Sequence, residues 1–218
     1  MSDPRAADAD LTAKAKIRNA ALDMYAEQGE DRVSMRAVAA RAGVTVGLVQ
    51  HHFKTKDGLR QAVDELIVDY HRSAIERAPR DGSPAEVAAA RDDAVRQMLN
   101  DNPAVIGYMR RVLLDPSGPQ TLLRQLTALS RDEVGKLREA GFASTKRSVA
   151  EQVVGMMVRN VGQLFLQPLV DSMWDQLDAD QNGEPKPTLS VDARNLHGKE
   201  TAVTGGLNSR YCVHVRRH

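Results

Sequence analysis

The chain has 218 residues, 42% of them hydrophobic, and its 30 Lys or Arg and 29 Asp or Glu leave a formal net charge of +1. That length suffices for one or two compact domains, and a single cysteine, Cys212, excludes an internal disulfide framework. The polar N-terminus does not resemble a secretory signal, and every apolar stretch is interrupted within a few residues. We therefore expect a cytoplasmic protein that does not enter a membrane.

Helical periodicity dominates the sequence, and strand-like alternation is scarce. Residues 1–10 are polar and acidic, which predicts a disordered N-terminus. Apolar residues then recur at helical spacing from Asp10 to Gln28, and Gly29 ends this first helix. Together with two further short helices, this element forms the first predicted domain, over residues 11–56.

The two short helices are joined by a glycine. Ser34 is the predicted N-cap of the first, MRAVAARA, and Gly43 supplies the left-handed turn that ends it. Thr45 is the predicted N-cap of the second, which runs from Val46 to about His52. The pair has the chemistry of a helix-turn-helix, in which the second helix enters the major groove of DNA.

The local charge agrees with that interpretation. Residues 11–60 carry nine Lys or Arg against five Asp or Glu. Lys54 and Lys56 follow the second short helix, and Thr55 begins the next one, whose first backbone N–H groups favour a phosphate. A solvated basic surface is the alternative for so modest an excess of charge.

The rest of the chain reads as a second helical region followed by a tail. A connecting helix over 57–78 leads to the linker APRDGSP. A domain of further helices is predicted over 79–181. From residue 182 to 218 helical periodicity is lost, and we expect a mostly disordered tail.

The stretch from Val149 to Trp174 is apolar around nearly its whole circumference. Such a helix must be buried on more than one side, which favours a homodimer in which a partner chain covers one face. A central core helix in a monomer is the alternative, and Pro168 is expected to kink or split the helix. The predicted dimer interface consists of Val153, Gly155, Gly162, Leu166, Leu169 and Met173.

Adaptable apolar side chains recur in this second region, with a few polar groups among them. Methionine and aromatic residues fit irregular ligands, and isolated polar groups orient them. A small, largely apolar effector is therefore expected, although ordinary core packing is the alternative for each residue. The predicted pocket consists of Met98, Tyr108, Met109, Phe142, Met156, Arg159 and Gln163.

From Ile17 to Val63 the sequence, IRNAALDMYAEQGEDRVSMRAVAARAGVTVGLVQHHFKTKDGLRQAV, resembles the DNA-binding domain of TetR-type transcriptional regulators. The resemblance implies an all-α fold, with an N-terminal three-helix helix-turn-helix domain and a C-terminal helical domain for ligand binding and dimerisation. It also implies a dimeric regulator, usually a repressor, that binds a palindromic operator in double-stranded DNA and is released by an effector. The implied DNA contacts are Ser34, Arg36, Thr45, Val46, Gly47, Gln50, His51, His52, Lys54 and Lys56.

One residue departs from the pattern of that family. An aromatic residue, most often Tyr, usually stands where this chain has Gln50. A glutamine there either pairs with a base, typically adenine, or makes a neutral contact to a phosphate.

Three other kinds of function are less consistent with the sequence. A metal site is not expected, because adjacent His51 and His52 point apart on a helix and no Cys or carboxylate cluster joins them. An enzyme is not expected, because the sequence has no phosphate-binding loop, nucleophile elbow or catalytic cysteine motif, and no cofactor is predicted. An effector-independent architectural protein would not need the second helical domain.

Overall fold

A computed structural model describes residues 12–115, 118–177, 186–192 and 212–216. Those residues form eight α-helices, one 3-10 turn and a two-stranded sheet. The helices are α1 (Ala13–Gln28), α2 (Met35–Ala42), α3 (Val46–Phe53), α4 (Lys56–Arg77), α5 (Pro84–Asp101), α6 (Pro103–Leu113), α7 (Thr121–Glu139) and α8 (Val149–Gln176). The 3-10 turn is Glu30–Arg32, and the strands are β1 (Thr188–Asp192) and β2 (Cys212–Arg216).

The chain divides into two compact units, residues 1–129 and 130–218. The sequence predicted a domain boundary at residue 79, which stays a prediction, and helices α5 and α6 belong to the first of these compact units. The reason is that α5 and α6 pack on α4 and α1 as closely as the first helices pack on one another. Gly107 permits this approach, because a Cβ added there would lie 3.3 Å from the Cβ of Ala26 on α1.

The core of the first unit is built from one face of each helix. Ile17 and Leu22 of α1, Val38 of α2 and Val49 of α3 are fully buried, with exposed fractions of 0%. The apolar spacing seen in the sequence therefore places these side chains inside, and it leaves polar residues of α2 and α3 in solvent.

The second unit contains the whole of the long helix α8. A capping box begins this helix, in which the Ser148 hydroxyl accepts a hydrogen bond from the Glu151 N–H and the Glu151 carboxylate accepts one from the Ser148 N–H. The helix continues without interruption past Pro168, so the expectation of a split at this proline is wrong. In a single chain Val153 is the one fully buried residue among its 28.

Strands β1 and β2 lie within residues 182–218, for which the sequence predicted a mostly disordered tail. They pair antiparallel, with Leu189 opposite Val215. Leu189 is buried, and the Gln167 side chain of α8 accepts a hydrogen bond from the Leu189 N–H (2.6 Å) and donates one to the Pro187 carbonyl (3.1 Å). A side chain of α8 thus satisfies backbone groups beside β1, which helical periodicity could not reveal. The predicted disordered segment 1–10 lies outside the described residues.

Within the described part of the chain, α8 is the one helix long and apolar enough to cross a membrane by length and composition. Its most apolar part has a mean hydropathy of 1.2, and only 6% of that part is buried within the chain. The polar residues that interrupt this helix are mostly uncharged, and the expectation that the chain does not enter a membrane stays a prediction.

Candidate nucleic-acid interface

Side-chain caps and a left-handed glycine build the turn between α2 and α3. The Ser34 hydroxyl accepts a hydrogen bond from the Ala37 N–H (3.1 Å), and the Thr45 hydroxyl accepts one from the Leu48 N–H (3.3 Å). Gly43 has φ 68° and ψ 33°, where a Cβ would cost energy. The N–H of Val44 then donates to the carbonyl of Ala39 (3.0 Å), which closes the end of α2.

Helix α3 has one buried face and one free face. Val49 and Phe53 are buried against the first unit. At its N-terminus and along its other sides, five predicted contact residues are exposed to solvent: Thr45, Val46, Gly47, Gln50 and His51. Ser34 and Arg36, at the start of α2, are exposed as well. The structure therefore brings these side chains to the surface around one short helix of the width that a major groove admits.

A strained turn separates α3 from α4. Lys54 has φ 64° and ψ −57°, and the Thr55 N–H donates to the Phe53 carbonyl (2.7 Å), which is the geometry of a γ-turn with a positive central φ. Among the described residues other than glycine, Lys54 alone has a positive φ. The turn leaves the Lys54 side chain exposed beside α3.

The first turn of α4 packs directly against the end of α3. The Thr55 hydroxyl accepts a hydrogen bond from the Gly58 N–H (3.0 Å). A Cβ added at Gly58 would lie 2.3 Å from the Phe53 carbonyl oxygen. Glycine is therefore required here by close backbone approach, a reason that the sequence pattern alone did not supply.

Lys56 and His52 have protein partners in the structure. The Lys56 ammonium lies 3.4 Å from the Asp31 carbonyl oxygen, and its side chain is half-buried. The His52 ring lies edge-on to Phe53, with ring centroids 6.2 Å apart, and 5.4 Å from the His51 ring. Among the described residues, no group of three or more His, Cys, Asp or Glu side chains could hold a metal ion.

A buried polar network behind this surface was not anticipated from the sequence. Arg60 of α4 contacts Asp57 in the same helix and donates to Asp64 (3.0 Å), which also accepts a hydrogen bond from the Tyr108 hydroxyl of α6 (2.7 Å). Glu30 lies 3.8 Å from Arg60. The i, i+3 and i, i+4 spacing of the α4 charges was the available signal.

Burial dominates the electrostatics of this network. It raises the pKa of the Asp64 carboxyl to about 6, although the Tyr108 hydrogen bond and the Arg60 charge both lower that pKa. Burial likewise raises the pKa of the Glu30 carboxyl, against the opposing effect of Arg60. Burial therefore disfavours the ionised form of both carboxyls.

The predicted ligand pocket does not form one cluster within either unit. Met98, Tyr108 and Met109 are buried in the first unit. In the second unit Phe142, Met156 and Gln163 are half-buried and Arg159 is exposed. Tyr108 in particular packs on Tyr25 of α1, with ring centroids 6.2 Å apart, and its place in a ligand pocket stays a prediction.

The predicted dimer residues divide between two faces of α8. Val153 is buried in its own chain, with an exposed fraction of 4%, and its place in the interface stays a prediction. Leu166, Leu169 and Met173 are 43%, 57% and 53% exposed. Their spacing places them on one side of the helix with Gly155 and Gly162. We call these five residues the α8 stripe.

Residues 17–63 match the family model described as bacterial regulatory proteins of the tetR family. Over these residues the chain carries the N-terminal helix-turn-helix domain of the TetR family. This family consists of transcriptional regulators and not of enzymes.

Curated relatives agree with the family over the same part of the chain. The HTH-type transcriptional regulatory protein RaaS of Mycobacterium tuberculosis is 43% identical over 76 residues, which are 35% of each chain. An HTH-type transcriptional repressor of the same species is 46% identical over 68 residues, which are 31% of this chain and 36% of the repressor. The matched region thus spans about a third of the length of these relatives.

Solved structures extend the likeness in fold to most of the chain. A putative TetR-family regulator from Shewanella has a TM-score of 0.61 at 17% identity, over 79% of this chain and 93% of that one. A transcriptional regulator from Rhodococcus has a TM-score of 0.60 at 22% identity, over 75% and 87% of the two chains. At these identities the likeness establishes the TetR fold.

Proposed function

We propose that this TetR-family chain is a cytoplasmic transcriptional regulator, acting as a repressor, that binds a palindromic operator in double-stranded DNA as a homodimer. The exposed side of α3 is the observation that supports DNA binding. It presents Gln50 and His51 without an acidic neighbour on the helix, and Lys54 stands exposed at its end. Such a surface combines groups that hydrogen-bond to base edges with a cation for phosphate.

Selection from a pool of random DNA duplexes tests this proposal. The wild-type protein should enrich a palindromic sequence. Gln50→Ala should then relax the preference at one symmetric position, at a cost of about 1–3 kcal/mol if Gln50 pairs with a base. Equal losses on selected and random duplexes would show that Gln50 does not read a base.

A comparison of two lysine variants distinguishes a direct phosphate contact from an effect of net charge on DNA affinity. Lys54→Ala should weaken binding to all duplexes and lower the slope of log affinity against log salt by roughly one, because the variant neutralises one phosphate fewer. Lys146→Ala removes an exposed lysine of the second unit and serves as the matched control. If both variants weaken binding equally, Lys54 contributes only to net charge.

The α8 stripe supports the homodimer. In a single chain the leucine and methionine side chains of the stripe are exposed to water. An exposed apolar patch of this kind is typical of a protein–protein interface. Gly155 and Gly162 leave room for a second helix to approach. A lipid surface is the other apolar environment, and recovery of the intact protein in the membrane fraction of cells would contradict the proposal.

Release from DNA by a small, largely apolar effector completes the proposed function. The buried and half-buried methionine and aromatic side chains in each unit support the binding of such an effector. Binding energies of effector and DNA must be coupled reciprocally, so an effector that weakens DNA binding roughly 10- to 100-fold loses affinity by the same factor on DNA. Titration of free and DNA-bound protein with apolar candidates tests this point, and equal affinities would exclude a candidate.

A further inference from the structure

One turn of α6 contacts both helices that hold the helix-turn-helix in place. On one side, the Arg111 guanidinium donates two hydrogen bonds to the end of α1, from Nε to the Ala26 carbonyl (3.0 Å) and from Nη2 to the Glu27 carbonyl (3.0 Å). These carbonyls lack partners within the helix, so a cation there also complements the negative end of the helix dipole. Arg111 therefore fixes the end of α1 against α6.

On the other side, the same turn of α6 holds the start of α4. The Tyr108 hydroxyl donates to Asp64, Asp64 accepts from Arg60, and Arg60 contacts Asp57 in the first turn of α4. Asp64 is 0% exposed and Arg60 is 5% exposed. A buried chain of charge-assisted hydrogen bonds has few alternative arrangements, because each broken link leaves an unsatisfied buried group.

The side chain of Tyr108 links the contact of α6 with α1 to its contact with α4. Tyr108 stacks on Tyr25 of α1 while its hydroxyl reaches α4, and Gly107 lets α6 approach α1 closely. The first turn of α4 in turn abuts the end of α3 at Gly58. A contiguous path of packed groups therefore joins α6 to α3, which we call the recognition helix.

We infer that Tyr108 and Arg111 are positioning residues for DNA binding, which set the orientation of the recognition helix through α4 and α1. This inference rests on the proposed DNA-binding function. Neither residue lies on the exposed surface of α3, so each acts through the helices it holds. In a dimer, a change in this orientation alters the distance between the two recognition helices, and with it the half-site spacing that fits best.

The test measures preference for half-site spacing. The probe is the palindromic duplex that the wild-type protein enriches, together with duplexes in which the half-sites are one base pair closer or farther apart. Tyr108→Phe and Arg111→Gln should each lower affinity for the enriched duplex about 10-fold, the scale of removing one hydrogen bond to a charged group. Both variants should also lower the ratio of the affinity for the enriched duplex to the affinity for the shifted duplexes.

Tyr70→Phe is the matched control, because it removes another buried tyrosine hydroxyl from α4. It should keep the wild-type spacing preference. If Tyr108→Phe does not fold, Arg111→Gln, which removes the hydrogen bonds of Arg111 to α1 and keeps the hydrogen bond of Tyr108, provides the same measurement. Folded variants with the wild-type preference would overturn the inference, whereas a wild-type protein that enriches no duplex would overturn the proposed function instead.

Discussion

Helices α3 and α8 use their apolar residues in opposite ways. Helix α3 has eight residues and buries Val49 and Phe53 inside its own chain, so its outer side is polar and free. Helix α8 has 28 residues and fully buries only Val153, while Leu166 and Leu169 remain in water. The apolar side chains of α3 are thus covered within one chain, whereas the described residues leave the leucine and methionine side chains of the α8 stripe exposed.

The largest effect is expected from a charge on the α8 stripe. Leu169→Glu should dissociate the dimer, because an unpaired buried carboxylate costs about 3–5 kcal/mol. Val154→Glu is the control, since Val154 is also exposed on α8 but points about 100° away from its neighbour Gly155. Light scattering after gel filtration measures the mass. A dimeric Leu169→Glu protein would place the interface elsewhere.

The next effect tests the internal packing of the recognition helix. Gly58→Ala should lower the free energy of unfolding by about 3 kcal/mol, because the new Cβ would lie 2.3 Å from the Phe53 carbonyl oxygen. Gly135→Ala in α7 is the control. A Cβ there meets nothing within 4 Å, so this change should stabilise by up to about 1 kcal/mol. Urea unfolding followed by circular dichroism compares them, and equal effects would contradict the close contact.

The buried network should make stability depend on pH. The pKa of Asp64 rises from its ordinary 3.8 to about 6 on folding, so the folded chain holds this proton more tightly. The resulting stability is complete below pH 4 and is lost as pH rises through 6. Between pH 5 and 7 the wild type should therefore lose about 1 kcal/mol relative to Asp64→Asn. Urea unfolding of both proteins across this range measures the difference, and parallel curves would contradict the raised pKa.

The smallest effect concerns the turn that ends α3. Lys54→Gly should raise the free energy of unfolding by about 1 kcal/mol, since glycine adopts a positive φ without a Cβ clash. The same variant should bind DNA more weakly, because it loses the exposed ammonium. Lys54→Ala should lose DNA affinity without gaining stability. Equal free energies of unfolding for Lys54→Gly and Lys54→Ala would show that the positive φ at this position causes no strain.

The sequence by itself determined the helices of the first unit and the exposed residues around α3. Ser34, Gly43 and Thr45 act within a few residues of their own positions, so caps and a left-handed turn are readable from local order. The side of α3 that faces solvent follows from periodicity alone. The family resemblance from Ile17 to Val63 drew on the same local features and coincides with the matched residues 17–63.

Only the tertiary structure decided the contacts between residues distant along the chain. Tyr108 and Asp64 are 44 residues apart, and nothing in their local patterns predicts that they meet in a buried network. Gln167 and Leu189 are similarly joined across 22 residues, which orders a strand in a segment expected to be disordered. Local sequence determines the conformation of a turn or helix, whereas the burial of a residue depends on which elements pack against it. The burial of Tyr108, Val153 and Leu189 therefore became visible only in the folded chain.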